Sequence, residues 1–305
     1  MESVSEVARC MVGALSIALC VTGYISRAIC AMPPMKPFSL LRWGLLCIVL
    51  SSAAASRADS ASLYLEELTS AEVASAIRLG STTIIIPIGG TEQNGPHMAL
   101  GKHNARVRIL SGRIAQAVGK TLVAPVLAYV PEGNISPPTE HMRFAGTISI
   151  PEAAFTSVLE AAARGFRQHG FRDIVLLGDS GNYQDALKAV AARLNRDWGR
   201  GGARAHYVAE YYRATQTTYL AALRARGITA AQIGTHAATA DTALMLALDP
   251  SLVRANLLAE AARQGKTGGT GGDPQAATAE LGQLGVEAII TQTTQGIRAA
   301  LSAAR

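Results

Sequence analysis

The sequence predicts an α/β fold, a three-layer α/β/α sandwich on a mostly parallel sheet. Three observations carry this. Short apolar runs rich in β-branched residues recur along the chain, stretches of helical periodicity separate them, and polar loops follow the first and third runs. Strands buried on both faces and joined through helices form parallel sheets, which bind ligands outside the carboxyl ends of their strands.

Each element has its own signal. "TTIIIPIGG" (82–90) reads as a buried strand, and Val107, Leu110 and Ile114 mark the helix that follows Asn104. "TLVAPVLAYV" (121–130) is the next strand. "PEAAFTSVLEAAARGFRQHG" (151–170) starts with proline and closes with glycine, the usual helix punctuation, and "FRDIVLLGD" (171–179) is again a buried strand. "DALKAVAARLNRDWG" (185–199) is helical, "ARAHYVAEYY" (203–212) extended, and the segments 236–250 and 276–304 helical.

A chain of 305 residues, 49% hydrophobic and 16% charged, can fill a core and is not a disordered protein. The balance of 28 basic to 22 acidic residues shrinks to 23 against 20 once residues 1–57 are set aside, with no basic cluster interleaved with aromatics. That excludes an electrostatic nucleic-acid footprint. From Met35 a basic stretch (Lys36, Arg42), an apolar stretch (Trp43 to Leu50) and small residues (Ser51 to Ser56) have the order of a secretory signal. The expected organisation is an upstream extension over 1–34, a signal peptide over 35–57 and one catalytic domain over 58–305. Met11 to Ile25 falls short of the roughly 20 apolar residues that span a bilayer, so the mature form is expected to be exported and free of the membrane, with a membrane anchor as the alternative. All four cysteines (Cys10, Cys20, Cys30, Cys47) precede residue 58, which leaves the domain no disulfide, thiolate ligand or cysteine nucleophile.

The loop "GGTEQNGPHMALGKHN" (89–104) concentrates coordinating side chains just beyond the first strand. Together with "PI" before it, it resembles the first signature of the creatininase family, metal-dependent amidohydrolases. Four further segments agree in order and spacing: "HMRFAGTISI" (141–150), "LLGDSGN" (176–182), "HAATADTA" (236–243) and "GGTGGDPQAATAELG" (268–282). The resemblance covers about residues 62 to 285 and implies a creatininase-like fold, a divalent metal cofactor, a small amide as substrate and a homo-oligomer, commonly a hexamer.

Departures from the family pattern shape the expected site. The first metal set of the family falls on Glu92, His103 and Asp179, where the Asp and His have exchanged places in a compensated swap. The second set falls on Asn94 and Gly181, a weak uncharged ligand and a residue with no side chain. The expectation is therefore one divalent ion (zinc, manganese or iron) on Glu92, His103 and Asp179, with an open position at which water is activated. His236 is the expected proton carrier and Asp241 the group that orients it or a substrate amine. Asn94, His97, His141, Ser180, Gly181 and Asn182 make up the expected substrate-facing set, with His97 bracing the loop and the Ser180 and Gly181 N–H groups facing a developing oxyanion. With Trp43 and Trp198 as the only tryptophans, both remote from the motifs, creatinine itself is an improbable substrate. The competing reading is a non-catalytic small-molecule-binding protein on the same fold.

Overall fold

The structure is a computed structural model that describes residues 62–199 and 201–303. The expected extension and signal peptide, with the four cysteines, lie outside the described residues.

Helix α1 (Ser70–Arg78) starts at Thr69, whose hydroxyl and the Glu72 carboxylate cap each other's backbone. Strand β1 (Thr83–Ile88) is buried along its whole length. Helix α2 (Lys102–Val118) returns the chain to β2 (Thr121–Val123). Helix α3 (Glu152–Gln168), β3 (Asp173–Gly178), α4 (Gln184–Trp198) and β4 (Arg204–Tyr207) complete the alternation. Six helices follow: α5 (Glu210–Gln216), α6 (Thr218–Ala225), α7 (Ala230–Ile233), α8 (Thr239–Leu248), α9 (Leu258–Gln264) and α10 (Ala279–Ala303).

The four strands pair in parallel in the order β2-β1-β3-β4. Alternation of side chains divides the core between two faces. Ile84, Ile86 and Ile88 of β1 join Ile174 and Leu176 of β3 against Phe155 and Leu159 of α3 and Leu187, Val190 and Leu194 of α4. Ile85, Val175 and Leu177 face the other way, onto Val107, Leu110 and Ile114 of α2 and Val286, Ile289 and Ile297 of α10. This is the three-layer sandwich expected.

Two elements differ from expectation. The second strand ends at Val123 instead of running to 130, because Pro125 has no N–H to offer the ladder; Leu127 still exchanges backbone hydrogen bonds with Pro87 and Gly89. The extended run 203–212 stops at Tyr207, opposite Leu176. With β3 ending at Gly178, the chain beyond has little left to pair with and satisfies its backbone as helix α5. Among the described residues no helix is long and apolar enough to cross a membrane.

Candidate functional site

The loop after β1 and the turn after β3 meet at the carboxyl edge of the sheet, over a cavity of about 1090 Å3. The first loop is clamped from two sides. Ile148 N–H donates to the Thr91 carbonyl and Gln93 N–H to the Thr147 hydroxyl, while Arg254 N–H donates to the His97 carbonyl and Ala99 N–H to that of Leu252. His236 enters from a third side, on a segment paired to Gly271, so that the fourth and fifth sequence motifs adjoin in space.

Glu92 lies at the centre and is buried. Its Oε1 is 2.9 Å from His103 Nε2, 3.6 Å from Lys102 Nζ and 3.7 Å from His236 Nδ1; its Oε2 is 3.4 Å from His141 Nε2. Burial alone would raise its pKa, but His103 and Lys102 hold it well below the ordinary carboxylate range. His236 donates Nε2–H to the Gln93 carbonyl at 2.9 Å, which leaves the Nδ1 lone pair turned toward Glu92. Burial and the Lys102 charge push the His236 pKa down to about 4, so the ring is neutral at pH 7. The Gln93 side chain fixes His141 in turn. Its Oε1 accepts from Gly95 N–H, so its amide nitrogen is the group that donates to His141 Nδ1. Glu92, His141 and His236 each offer a ligand atom within 4.8 Å of the others, and among the described residues they form the one set spaced to hold a metal ion.

The three residues expected to share an ion come together, but in series. His103 Nδ1 is 2.5 Å from Asp179 Oδ2 and its Nε2 faces Glu92, so the two carboxylates sit at opposite ends of one imidazole rather than around one point. Asp179 is further occupied by the Arg106 guanidinium at 2.8 Å and the Tyr211 hydroxyl at 2.6 Å. Both carboxylates draw the His103 pKa upward against the effect of burial.

The same region of the chain matches the creatininase family model, described as creatinine amidohydrolase, over residues 66–297. The chain belongs to the creatininase family. A mycofactocin precursor peptide peptidase of Mycobacterium tuberculosis is 35% identical over 127 residues, 36% of this chain and 45% of that protein. A creatinine amidohydrolase of Pseudomonas putida is 30% identical over 132 residues, 43% of this chain and 49% of that protein. The chain thus spans about half the length of these curated relatives, one named as a peptidase and the other as an amidohydrolase. Among solved structures, a manganese creatininase superposes with a TM-score of 0.63 at 24% identity, over 78% of this chain and 98% of that one. A mutant creatininase of the Zn-Zn type does so with 0.63 at 23%, over 79% and 99%. These likenesses show the fold.

Within this creatininase site the remaining expected residues divide sharply. His141, Ser180, Gly181, Asn182, His236 and Asp241 line the cavity, whereas Asn94 and His97 do not. Asn94 is wholly buried and donates its amide to the carbonyls of Glu92 and Ala99, which holds the loop closed. His97 is wholly buried against Thr242, with Nε2 3.0 Å from the hydroxyl, and braces the loop on α8. For Asn94 substrate contact is therefore corrected to loop bracing, while His97 has the bracing position read for it in the sequence and does not face the cavity. Ser180 N–H donates to the Tyr183 hydroxyl at 3.0 Å, so it is not free for an oxyanion. A Cβ on Gly181 would stand 2.6 Å from the Tyr212 hydroxyl, so the acidic ligand of the family pattern has no room here. Asp241 faces neither His236 nor open solvent as its chief partner. It accepts from Arg106 Nη1 at 2.9 Å, Lys102 Nζ at 3.2 Å and Ala237 N–H at 2.9 Å.

Three participants went unread in the sequence. Lys102 and Arg106, in the first turns of α2, are buried cations, and nothing in "GKHNAR" distinguishes them from surface bases. Glu132 is buried beside Glu92, with Oε2 accepting from Asn182 at 2.9 Å and Oε1 unpaired; burial and the Glu92 charge push its pKa up to about 8. Its signal was available: it follows the apolar run 121–130, at the edge where ligands bind.

Proposed function

We propose that the chain is a metal-dependent hydrolase that cleaves a small linear or cyclic amide, with a single divalent ion held by Glu92, His141 and His236. The observation that carries this reading is His236. Its Nδ1 lone pair looks at a carboxylate oxygen 3.7 Å away, two facing acceptors between which a cation would complete the contact. One carboxylate with two imidazoles suits zinc, and also manganese or ferrous iron. Loading the site displaces the His141 Nε2 proton, so affinity falls in acid.

Bound there, a divalent ion would supply Lewis acidity, polarising the amide carbonyl and making water a nucleophile near neutral pH. The protein's own groups do the rest. Gln93 aims both imidazoles, one through its main-chain carbonyl and one through its amide. With His236 committed at both nitrogens, the proton-carrying role passes to Glu132, which lies beside Glu92 and is tethered by Asn182. Phe144, Tyr212 and Tyr219 give the cavity apolar walls, and Asn182 offers polar contact to an amide. Trp198 packs under Arg167 in α4, away from the cavity, so no tryptophan among the described residues closes over a creatinine ring. The basic, apolar and small-residue order of 35–57 supports a mature enzyme outside the cytoplasm, and the family resemblance supports a homo-oligomer.

The test is metal content and an amide-library assay on protein purified without a tag, with and without chelator. About one ion per chain and chelator-sensitive turnover are expected. His236→Ala, His141→Ala and Glu92→Gln should each lose the ion, while Asp179→Asn keeps it. Loss in Asp179→Asn with retention in His236→Ala returns the ion to Glu92, His103 and Asp179. No metal together with tight ligand binding leaves the non-catalytic binder.

A further inference from the structure

Buried beside the Glu92 cluster is a second feature that hydrolysis by one ion does not use. Lys102 and Arg106 stand one helical turn apart on the same face of α2. Their side chains are 1% and 4% exposed, and burial of this order is rare for either residue unless paired. Between them they contact Glu92, Asp179 and Asp241. Lys102 Nζ is 3.2 Å from Asp241 and 3.6 Å from Glu92; Arg106 reaches Asp179 at 2.8 Å and Asp241 at 2.9 Å.

We infer that Lys102 and Arg106 take the place of a second metal ion in this creatininase site. The inference rests on the single-ion reading above and explains why the count is one. Glu92, Asp179 and Asp241 offer at most three negative charges against two permanent positive ones, a residue of at most one before His103 is counted. A first divalent ion exceeds that residue by at least one charge and a second by at least three, and each unmatched buried charge is costly. Sterics agree with the charge count. Tyr212 closes the space beside Gly181, and Asn94, its amide nitrogen held by two backbone carbonyls, has only an uncharged Oδ1 to offer, a weak ligand. The two departures in the second metal set, Asn94 and Gly181, are thus compensated by two cations from the neighbouring helix.

Removing the Lys102 charge should therefore raise affinity for a divalent ion, because the ammonium and the ion compete for the same carboxylate. Zinc and manganese binding to the full domain, stripped by chelation and dialysed, would be followed by calorimetry, with stoichiometry checked by elemental analysis. Wild type is expected to take up one ion; Lys102→Met at least tenfold tighter binding, or a second ion; Lys102→Arg wild-type behaviour. Circular dichroism establishes that each variant is folded, and if Lys102→Met is not, Lys102→Met with Asp241→Asn removes both charges together. Two ions in wild type, or unchanged or weaker affinity in folded Lys102→Met, overturns the inference and leaves the hydrolase reading standing. No ion in any of the proteins overturns both.

Discussion

Arg106→Met tests whether the buried network is held together as the structure implies. The wild-type guanidinium donates Nε–H to Asp179 and Nη1–H to Asp241, with only 4% of its side chain exposed. Methionine fills much the same volume and removes the charge. Asp179 then keeps the Tyr211 hydroxyl and His103, and Asp241 keeps Lys102 and Ala237 N–H, so neither carboxylate is wholly abandoned. Breaking a buried pair from one side costs about 3–5 kcal/mol. In a domain of this size each kcal/mol is worth about 2–4 °C, so the melting temperature should drop by roughly 6–20 °C. The measurement is thermal denaturation by circular dichroism on chelator-treated protein, so that bound metal does not mask the loss. Arg106→Lys keeps the charge without the planar fork and should fall between. Asp179→Asn in the Arg106→Met background removes the orphaned charge and should recover about 1–3 kcal/mol relative to additivity. A drop under 3 °C, or strict additivity of the two substitutions, refutes the idea that these charges depend on each other.

Other expectations follow from single positions. Asn94→Asp replaces a double donor with an acceptor facing two carbonyls; it should cost about 2–4 kcal/mol in chemical denaturation and weaken metal binding by loosening the loop that carries Glu92. Burial and the Lys102 charge push the His97 pKa down to about 4, below its ordinary 6.5, so the folded state resists protonation that the unfolded chain accepts. Its contribution is complete above pH 6.5 and is lost as pH falls toward 4, at about 1.4 kcal/mol per pH unit; urea titrations of His97→Gln should show a shallower acid slope than wild type. Gly282→Ala would place a Cβ 1.9 Å from the Ala243 carbonyl and force α8 and α10 apart, with an expected loss of about 3 kcal/mol or more and a matching fall in melting temperature.

How much was legible depends on range along the chain. The sheet and its two covering layers follow from local periodicity, and the run 82–90 became β1 with little change. Strand ends were less legible, because the apolar pattern of 121–130 hides the break that Pro125 makes in the ladder, and whether residues 208–212 extend depends on a neighbour's length, which periodicity does not report. Glu92 stood out because the motif surrounds it. Lys102 and Arg106 did not, since a basic residue on a helix looks alike whether it faces solvent or buried carboxylates brought in from other loops.

What the sequence by itself determined is the alternation that builds the sandwich, the family to which the chain belongs, and the edge of the sheet where its polar loops gather. Only the tertiary structure decided that His103 bridges Glu92 and Asp179, that His141 and His236 stand with Glu92 at metal-ligand spacing, and that two cations from α2 lie among three carboxylates. The physical reason is that secondary structure follows from neighbours within a few residues, whereas the protonation and ligating capacity of a side chain are set by whichever charges and hydrogen-bond partners the fold brings within about 4 Å.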